Sequence, residues 1–168
     1  MKTWLALGFR GMVAVTAIAG WTGAAAAGLF SSSGPVIAIL GGELYVGEAR
    51  ASIDRTGTIT IKSQVMPGLS CDGDFTFGAK LGNAGSMHCT DGSAATFQFE
   101  RIGLTTGHGA GASGKRDLTF TYGLNVDESR AYLKLPPGKS LGLSGTDVVM
   151  IDARPAIPGV ILVSEPLP

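Results

Sequence analysis

The middle of the chain alternates between apolar and polar residues, which is typical of β-strands with one buried face. Residues 58–62 read Thr-Ile-Thr-Ile-Lys, and residues 95–102 alternate in the same way. Further strand-like runs lie at 43–50, 69–77, 86–90 and 118–122. Because these runs recur at short spacing with turns such as Asp91-Gly92 between them, the chain is predicted to be mainly β. We expect an antiparallel meander closed as a small barrel or folded as a sandwich.

One short helix is predicted near the C-terminal third, at about residues 126–133. Asn125 can cap its amino end, Glu128 completes a capping box, and Pro136 ends it. The expected organisation is a linker at 28–41, an antiparallel β domain at 42–145, and a C-terminal strand with a Pro-rich tail at 146–168.

The first 27 residues have the order of a secretory signal peptide. Lys2 and Arg10 supply positive charge, residues 11–21 form a short apolar core, and four alanines at 24–27 suit signal peptidase. The apolar core is shorter than the roughly 20 residues that a membrane-spanning helix needs. We therefore expect cleavage after Ala26 or Ala27 and a soluble periplasmic or extracellular product. If uncleaved, this segment would be the only contact with the membrane.

Cys71 and Cys89 are the two cysteines of the chain. In an oxidising compartment, an even number of cysteines predicts a disulfide. Closing the loop between them would stabilise the fold by roughly 3 kcal/mol in the chain-entropy model. A metal site is the alternative, but His88 adjoins Cys89, and adjacent strand residues face opposite sides of a sheet. The spacing therefore favours the disulfide.

Glycine is the compositional outlier, with 26 residues among 168. These glycines follow no collagen period, so they indicate turns and bends rather than a fibre. Removing residues 1–27 removes two basic residues and no acid, which leaves 11 basic and 13 acidic residues. Nucleic acid is therefore not an expected partner, since phosphate binding needs clustered basic charge.

One glycine-rich segment matches two phosphate-binding motifs by letter, and its context disfavours both. Residues 109–114 fit the dinucleotide fingerprint, and residues 109–115 resemble a P-loop. The fingerprint must precede a helix, yet the next predicted element is a strand at 118–122. In a P-loop, Arg116 would stand where a Ser or Thr must bind magnesium. We therefore predict no cofactor.

Candidate catalytic and metal-binding groups are few. His88 and His108 are the two histidines, and the chain has no Gly-x-Ser-x-Gly elbow. Asp72 and Asp74 share a strand face near Asp91, where they could do acid–base chemistry or hold calcium. Solvated acids beside a disulfide are the simpler interpretation. We predict no catalytic and no metal-binding residue, and expect neither histidine to be essential.

Six aromatic residues recur at a spacing of two along the predicted strands, so they share one face. They are most simply core residues, but in a barrel they could line a lumen that binds an apolar ligand. Gly107, Gly109 and Gly111 are also two apart and would leave a strip where an aromatic ring or another chain packs. The candidates for a ligand or interaction surface are Phe75, Phe77, Phe97, Phe99, Phe120 and Tyr122.

A resemblance to a repeat family rests on the spacing of glycines and aromatics. Its residues are Tyr45-x-Gly47-x-Ala49, Cys71-x-Gly73-x-Phe75-x-x-Gly78, Gly82, Gly85 and Asp91-Gly92. This spacing resembles MORN repeats, which implies β-hairpin units.

A second resemblance covers the chain after the signal segment. Its residues are Leu44-Tyr-Val-Gly-Glu-Ala49, Asp54-Arg-Thr-Gly-Thr58, Cys71, Cys89, Asp91-Gly92, Phe120-Thr-Tyr-Gly-Leu124 and Tyr132-Leu-x-Leu-Pro136. They resemble a family of small uncharacterised exported proteins of Gram-negative bacteria, which implies the β architecture and an exported location.

These observations favour an exported, non-enzymatic envelope module, with a binding or structural role, whose partner is an unknown envelope protein or small ligand. One alternative is a carrier of small apolar ligands with a barrel cavity, and another is a hydrolase with a nonlocal site. A cavity lined by inward Phe and Tyr would favour the carrier. Convergence of a histidine with an acid and a serine would favour the hydrolase.

Overall fold

The computed structural model describes residues 31–78 and 82–153, which form ten β-strands and one helical turn. Eight strands close a barrel in which each strand pairs antiparallel with the next and the last pairs with the first. The fold prediction is confirmed, with a barrel rather than a sandwich. The barrel strands are β1 (Ser31–Leu40), β2 (Glu43–Ser52), β3 (Thr56–Ser63), β4 (Ser70–Phe77), β5 (Asn83–Cys89), β6 (Ala94–Arg101), β7 (Gly107–Ser113) and β8 (Arg116–Tyr122).

Alternate residues of each barrel strand face the lumen, which holds one apolar cluster. On β3, Ile59 and Ile61 are buried while Thr58 and Lys62 are exposed, as the alternation predicted. Most outward positions of β3 to β7 are polar or small, because that side of the sheet meets solvent.

Inward glycines explain much of the unusual composition. A Cβ at any of them would lie less than 3.0 Å from a neighbouring strand or an aromatic ring, so only glycine fits the narrow lumen. Gly73, for example, lies in an unbroken ladder between Ile59 and Met87. The inward glycines are Gly47, Gly57, Gly73, Gly85, Gly107, Gly109 and Gly111.

One end of the barrel, the closed end, is sealed by the disulfide. Cys71 and Cys89 are directly paired residues of β4 and β5, their Cα atoms are 3.9 Å apart, and their sulfurs are bonded. The predicted disulfide is thus confirmed. Tyr45 and Met87 are almost fully buried in the same cluster. The bond closes a hairpin loop whose cross-linking stabilises by roughly 3 kcal/mol.

The prediction of a linker at 28–41 is wrong for residues 31–40, which form β1. The run from Val36 to Leu40 does not alternate because both of its faces are buried: Val36, Ala38 and Leu40 face the lumen, and Ile37 and Ile39 face a second cluster outside. β1 pairs with β2 along its whole length but with β8 only from Val36 to Leu40.

The C-terminal segment, residues 124–152, packs against the outer face of β1 and β2. Its helix α1 (Val126–Ser129) has the predicted capping box with Asn125 and Glu128, but is shorter than the predicted 126–133. Strands β9 (Lys139–Ser144) and β10 (Asp147–Asp152) form a separate hairpin. The helix ends at Ser129, well before the prolines, and proline and glycine at 136–138 form the turn that leads into β9.

The buried contacts of this segment are largely apolar. Leu133 and Leu141 pack on Ile37, Ile39 and Leu44 in the second cluster. A buried hydrogen bond of 2.8 Å joins the hydroxyls of Thr121 on β8 and Ser129 on α1. The segment therefore extends the core outside the barrel. The predicted signal peptide (1–27) and most of the predicted tail (154–168) lie outside the described residues.

Candidate functional site

At the end opposite the disulfide, aromatic rings on one strand pack over glycines on the next. A Cβ at each glycine would lie only 2.2–2.4 Å from the outermost atom of its partner's side chain. The glycines thus create the space that the rings occupy, as expected for the strip at 107–111. The pairs are Phe75 over Gly57, Phe97 over Gly85, Phe120 over Gly109 and Tyr122 over Gly107.

The six predicted aromatic residues form one connected cluster. Phe99 is at its centre, with ring centroids 5.4 Å from Phe75, 5.3 Å from Phe77 and 6.0 Å from Tyr122, all edge to face. Phe97 links Phe99 to Phe120, whose centroid is 5.1 Å away. Edge-to-face pairs contribute about 0.5–1.5 kcal/mol each beyond area burial, so this end of the lumen is firmly packed.

All six rings line a cavity that reaches the surface at the open end, which we define by Ser31–Ser33 and the loops 53–55 and 102–106. The cavity holds about 40 Å³. One water needs at least about 10–15 Å³ by this measure, and ligand pockets usually reach about 300 Å³ or more. The lumen therefore admits only the tip of a molecule.

A wider groove of about 620 Å³ crosses the open end above this cavity. Leu104 is 90% exposed and Ile53 is 77% exposed, and both line the groove together with Phe77. Large apolar side chains that are exposed together at one end of the barrel indicate a binding surface more strongly than single ones scattered over the molecule. Arg55 and Arg101 also line the groove, and none of its described lining residues is acidic.

Arg101 is held at this rim by the loop that follows β6. Its Nη2 donates to the carbonyl of Leu104 at 2.8 Å, and its Nε donates to that of Gly103 at 3.4 Å. Its guanidinium carbon is 5.5 Å from the centre of the Phe77 ring, within reach of a cation–π interaction. The charge is thereby placed directly beside the aromatic cluster.

Tyr122 is the one described side chain with a buried polar atom lacking a hydrogen-bond partner. Its hydroxyl lies over Gly107 in the lumen. Burial raises the pKa of Tyr122 above its usual value, and the nearby charge of Arg101 partly opposes this rise. An unpaired buried hydroxyl costs about 1–3 kcal/mol. A ligand atom that accepts a hydrogen bond from this hydroxyl would remove that cost and so bind more tightly.

The two histidines lie on different strands and on the outside of the barrel. His88 is exposed and faces away from the disulfide, opposite Asp72 on β4. His108 is half-buried on β7, and its ring stacks on Tyr132 with centroids 4.4 Å apart. The glycine-rich segment around His108 is a strand paired on both sides, so its backbone is fixed rather than mobile.

The three acids singled out from the sequence are solvated. Asp72 accepts a hydrogen bond from Thr60 at 2.7 Å, and Asp74 is exposed on the same outer face. Asp91 caps its own turn, where hydrogen bonds from Ser93 and the charge of Arg116 hold its pKa below the usual value. Within residues 31–78 and 82–153, no three metal-binding side chains come together.

The phosphate-motif segment at 109–114 belongs to β7 and the turn that leads into β8, as the sequence context indicated. Sequence reasoning missed the rim of the open end, because Ile53, Arg55, Arg101 and Leu104 come from separate loops and strand ends. Their signal was an apolar residue within two positions of a basic one in each of two segments, 53–55 and 101–104.

Comparison with protein families, with curated proteins and with solved structures finds no match to this chain. No helix in the described part of the chain is long and apolar enough to cross a membrane. The open end itself is therefore the basis on which a function can be inferred.

Proposed function

We propose that this chain is an exported, non-enzymatic binding module that takes an apolar group at the open end of its barrel. One observation carries the proposal: six aromatic rings converge beneath an opening whose rim exposes Ile53 and Leu104. Exposed apolar side chains around a concave aromatic site are typical of binding surfaces.

The dimensions of the site limit how a ligand would lie. A cavity of about 40 Å³ cannot enclose a whole ligand, whereas the groove above it offers about 620 Å³. The ligand would lie across the groove and insert its apolar end between the rings. This is a narrower role than that of a carrier which encloses its cargo.

Export rests on two independent features. Residues 1–27 have the charge, apolar core and alanines of a signal peptide. A disulfide between Cys71 and Cys89 persists in an oxidising compartment such as the periplasm and is rare in the cytosol.

Binding can be tested with phenylnaphthylamine, a neutral dye that fluoresces when it enters an apolar site. We expect saturable binding of one dye per chain. Leu104→Ser should weaken it by about five-fold, since one apolar contact contributes on the order of 1 kcal/mol. Ala51→Phe, which adds a ring at the cavity wall, should abolish it.

Val65→Ser is the matched control, because Val65 is 66% exposed but lies in the β3–β4 loop at the closed end. Each variant's unfolding midpoint is measured to confirm that it folds. Equal dye affinity in all three variants would place the binding elsewhere and refute the proposal.

The non-enzymatic part has its own test, in which His88→Ala and His108→Ala are made singly and together. We expect the folded double variant to complement a deletion strain, because His88 is exposed and His108 stacks on Tyr132. The groove that His108 lines with Glu100 has no serine among its described lining residues. His108→Phe, which keeps an aromatic ring against Tyr132, controls for loss of the stack. A double variant that folds but does not complement would favour the hydrolase.

A further inference from the structure

We infer that the ligand of the open end is a single-chain anionic amphiphile, whose head group binds Arg55 and Arg101 while the tip of its apolar tail enters the aromatic lumen. This inference rests on the proposed function, and it adds the chemical class of the ligand. It depends on charge, which the apolar proposal does not use.

The arginines of the open end differ from the others in the described part of the chain. Arg50, Arg116 and Arg130 each form an ion pair with a carboxylate. Arg55 and Arg101 form none among the described residues, although both line one groove. Asp54, in the same turn as Arg55, is engaged by Thr56 instead. Two arginines without an ion pair, on a groove with no acid among its described lining residues, attract an anion, and the local field raises its concentration there.

Arg101 has donors to spare for such an anion. A guanidinium has five N–H groups in a planar fork. The loop carbonyls of Gly103 and Leu104 engage Nε and Nη2, which orients the group and leaves Nη1 for a ligand. Carboxylate and phosphate both match this fork, so the shared chemistry is an oxyanion.

The geometry places the anion at the start of the apolar path. The Arg101 guanidinium carbon lies 5.5 Å from the centre of the Phe77 ring, and that ring contacts Phe75 and Phe99 further inside. An oxyanion bound at Arg101 would therefore project an attached alkyl chain towards the cavity. The unpaired hydroxyl of Tyr122 lies within the same cavity lining.

A single amphiphile fits better than a membrane surface. Recognition of anionic bilayers typically uses clusters of about four to eight basic residues, and the groove has two arginines among its described lining residues. Its apolar rim surrounds a concave opening rather than a flat face. A single amphiphile, inserted by the end of its alkyl chain, uses the two arginines, the apolar rim and the concave opening together.

The test compares four ligands that share a twelve-carbon chain by calorimetric titration of the purified secreted protein, with each ionic ligand below its micellar concentration and dodecanol below its solubility limit. They are laurate, dodecyl phosphate, dodecanol and dodecyltrimethylammonium. We expect both anions to bind about ten-fold or more tightly than dodecanol, as charge-assisted hydrogen bonds imply. The cation should bind weakest. The ratio of laurate to dodecyl phosphate affinity then distinguishes a fatty acid from a lipid phosphate as the source.

Arg55→Gln should lower the affinity for both anions and leave that for dodecanol unchanged. Arg101→Gln should lower the affinity for both anions by more than that for dodecanol, because Arg101 also holds the carbonyl of Leu104 and packs on Phe77. Arg101→Lys, which keeps the charge but loses the planar fork, should give an intermediate affinity. Lys115→Gln is the charge-matched control, because Lys115 is exposed in the β7–β8 turn at the closed end and has no ion pair within the described residues. It should change nothing.

The outcomes separate the two proposals. Dodecanol binding as tight as laurate binding, with no effect of either Gln variant, would overturn the anionic head group and leave the apolar site standing. Failure of all four ligands to bind would refute the apolar site as well. Arginine-dependent capture of the protein by anionic phosphatidylglycerol vesicles, without binding of the free amphiphiles, would replace this inference with a membrane surface.

Discussion

At the residue scale, the lumen depends on pairing a large side chain with glycine. Phe120 lies over Gly109 and Tyr122 lies over Gly107, so each ring fills the volume that a second side chain would need. Such cross-strand pairs compensate for the poor packing of glycine in strands. The composition is therefore a consequence of how an eight-stranded barrel holds aromatic rings.

Gly109→Ala tests this pairing. The added Cβ would lie 2.4 Å from Cζ of Phe120 and 2.5 Å from the carbonyl oxygen of Gln98, so a ring and a backbone must move. We expect a loss of about 1–3 kcal/mol in the free energy of unfolding, as for other overpacked cores. Urea unfolding measures it.

The control is Gly142→Ala in β9. Its new Cβ meets Cδ1 of Ile151 at 2.9 Å, the flexible end of a side chain that is 46% exposed. That variant should be close to wild type. Equal losses of unfolding free energy in both variants would show that glycine is needed at any strand position. That result would contradict a specific need for glycine opposite the aromatic rings of the lumen.

The buried tyrosines predict how stability depends on alkaline pH. Burial raises the pKa of both Tyr45 and Tyr122 above the usual value of about 10. The unfolded chain therefore loses these protons first, so their contribution is complete below about pH 10 and is lost as pH rises through the folded-state pKa values.

We expect Tyr45→Phe with Tyr122→Phe to flatten the fall of unfolding free energy above about pH 10, measured by urea unfolding at each pH. Tyr132→Phe is the control, because this ring is 39% exposed and its stack on His108 survives the change. A double variant with the wild-type slope would contradict the assignment.

At the scale of elements, the hydrophobic pattern predicted strands that have one face in solvent. It did not predict β1, which is buried on both faces over half of its length. The alternation at 58–62 and 95–102 located β3 and β6, because every second residue of these strands faces solvent and is polar or small. β1 shows no such alternation, because its outer face is covered by residues that follow more than 80 positions later in the sequence. Serines and a proline at its start resembled a linker.

The length of α1 shows a similar limit. Local capping chemistry located its start at Asn125, which the structure confirms. Its end depends on Leu133, which leaves the helix to enter the second cluster. That contact is tertiary, so no local signal in the sequence could report it.

Leu141→Ala tests whether the C-terminal segment is held by this second cluster. Leu141 is fully buried, so removal of its side chain should cost about 2–5 kcal/mol. We expect the cost to appear as faster proteolysis within residues 124–152. Leu143→Ala, at a position 62% exposed on the same strand, should cost at most about 0.5 kcal/mol.

If Leu141→Ala instead lowered the stability of the barrel and the segment equally, the two would be one cooperative unit. The measurement that decides is amide exchange, which reports β5 and β9 separately. Protection lost from β9 alone is the expected result.

At the scale of the whole molecule, the two ends of the barrel have different chemistry. The closed end is sealed by the Cys71–Cys89 disulfide, whereas the open end has the aromatic cavity and two arginines. The aromatic face could be predicted from a spacing of two. The placement of Arg55 and Arg101 along one groove could not, because it arises only when eight strands close and bring two distant turns to the same end.

The proposed export has a direct measurement at this scale. Protein recovered from the periplasm should begin after Ala26 or Ala27, since the residues there are small and follow a short apolar core. Amino-terminal sequencing decides the matter. A product that begins at Met1 would contradict cleavage.

The thiol titre is an independent check on exposure to an oxidising compartment. Titration of the unreduced, denatured protein should find no free thiol from Cys71 or Cys89.

The seam between β1 and β8 is half as long as the one between β1 and β2, with five residue pairs against ten. Ser31 to Gly34 pair with β2 alone, while Val36 to Leu40 pair on both sides and the carbonyl of Pro35 accepts a hydrogen bond from Gly123. Peeling Ser31 to Gly34 from β2 would enlarge the opening and break part of a single ladder, with every other strand pairing left intact. Ser32 and Ser33 line the cavity, so this movement would open a lateral gate beside the rings. The barrel could then admit a bulkier chain without losing its closure.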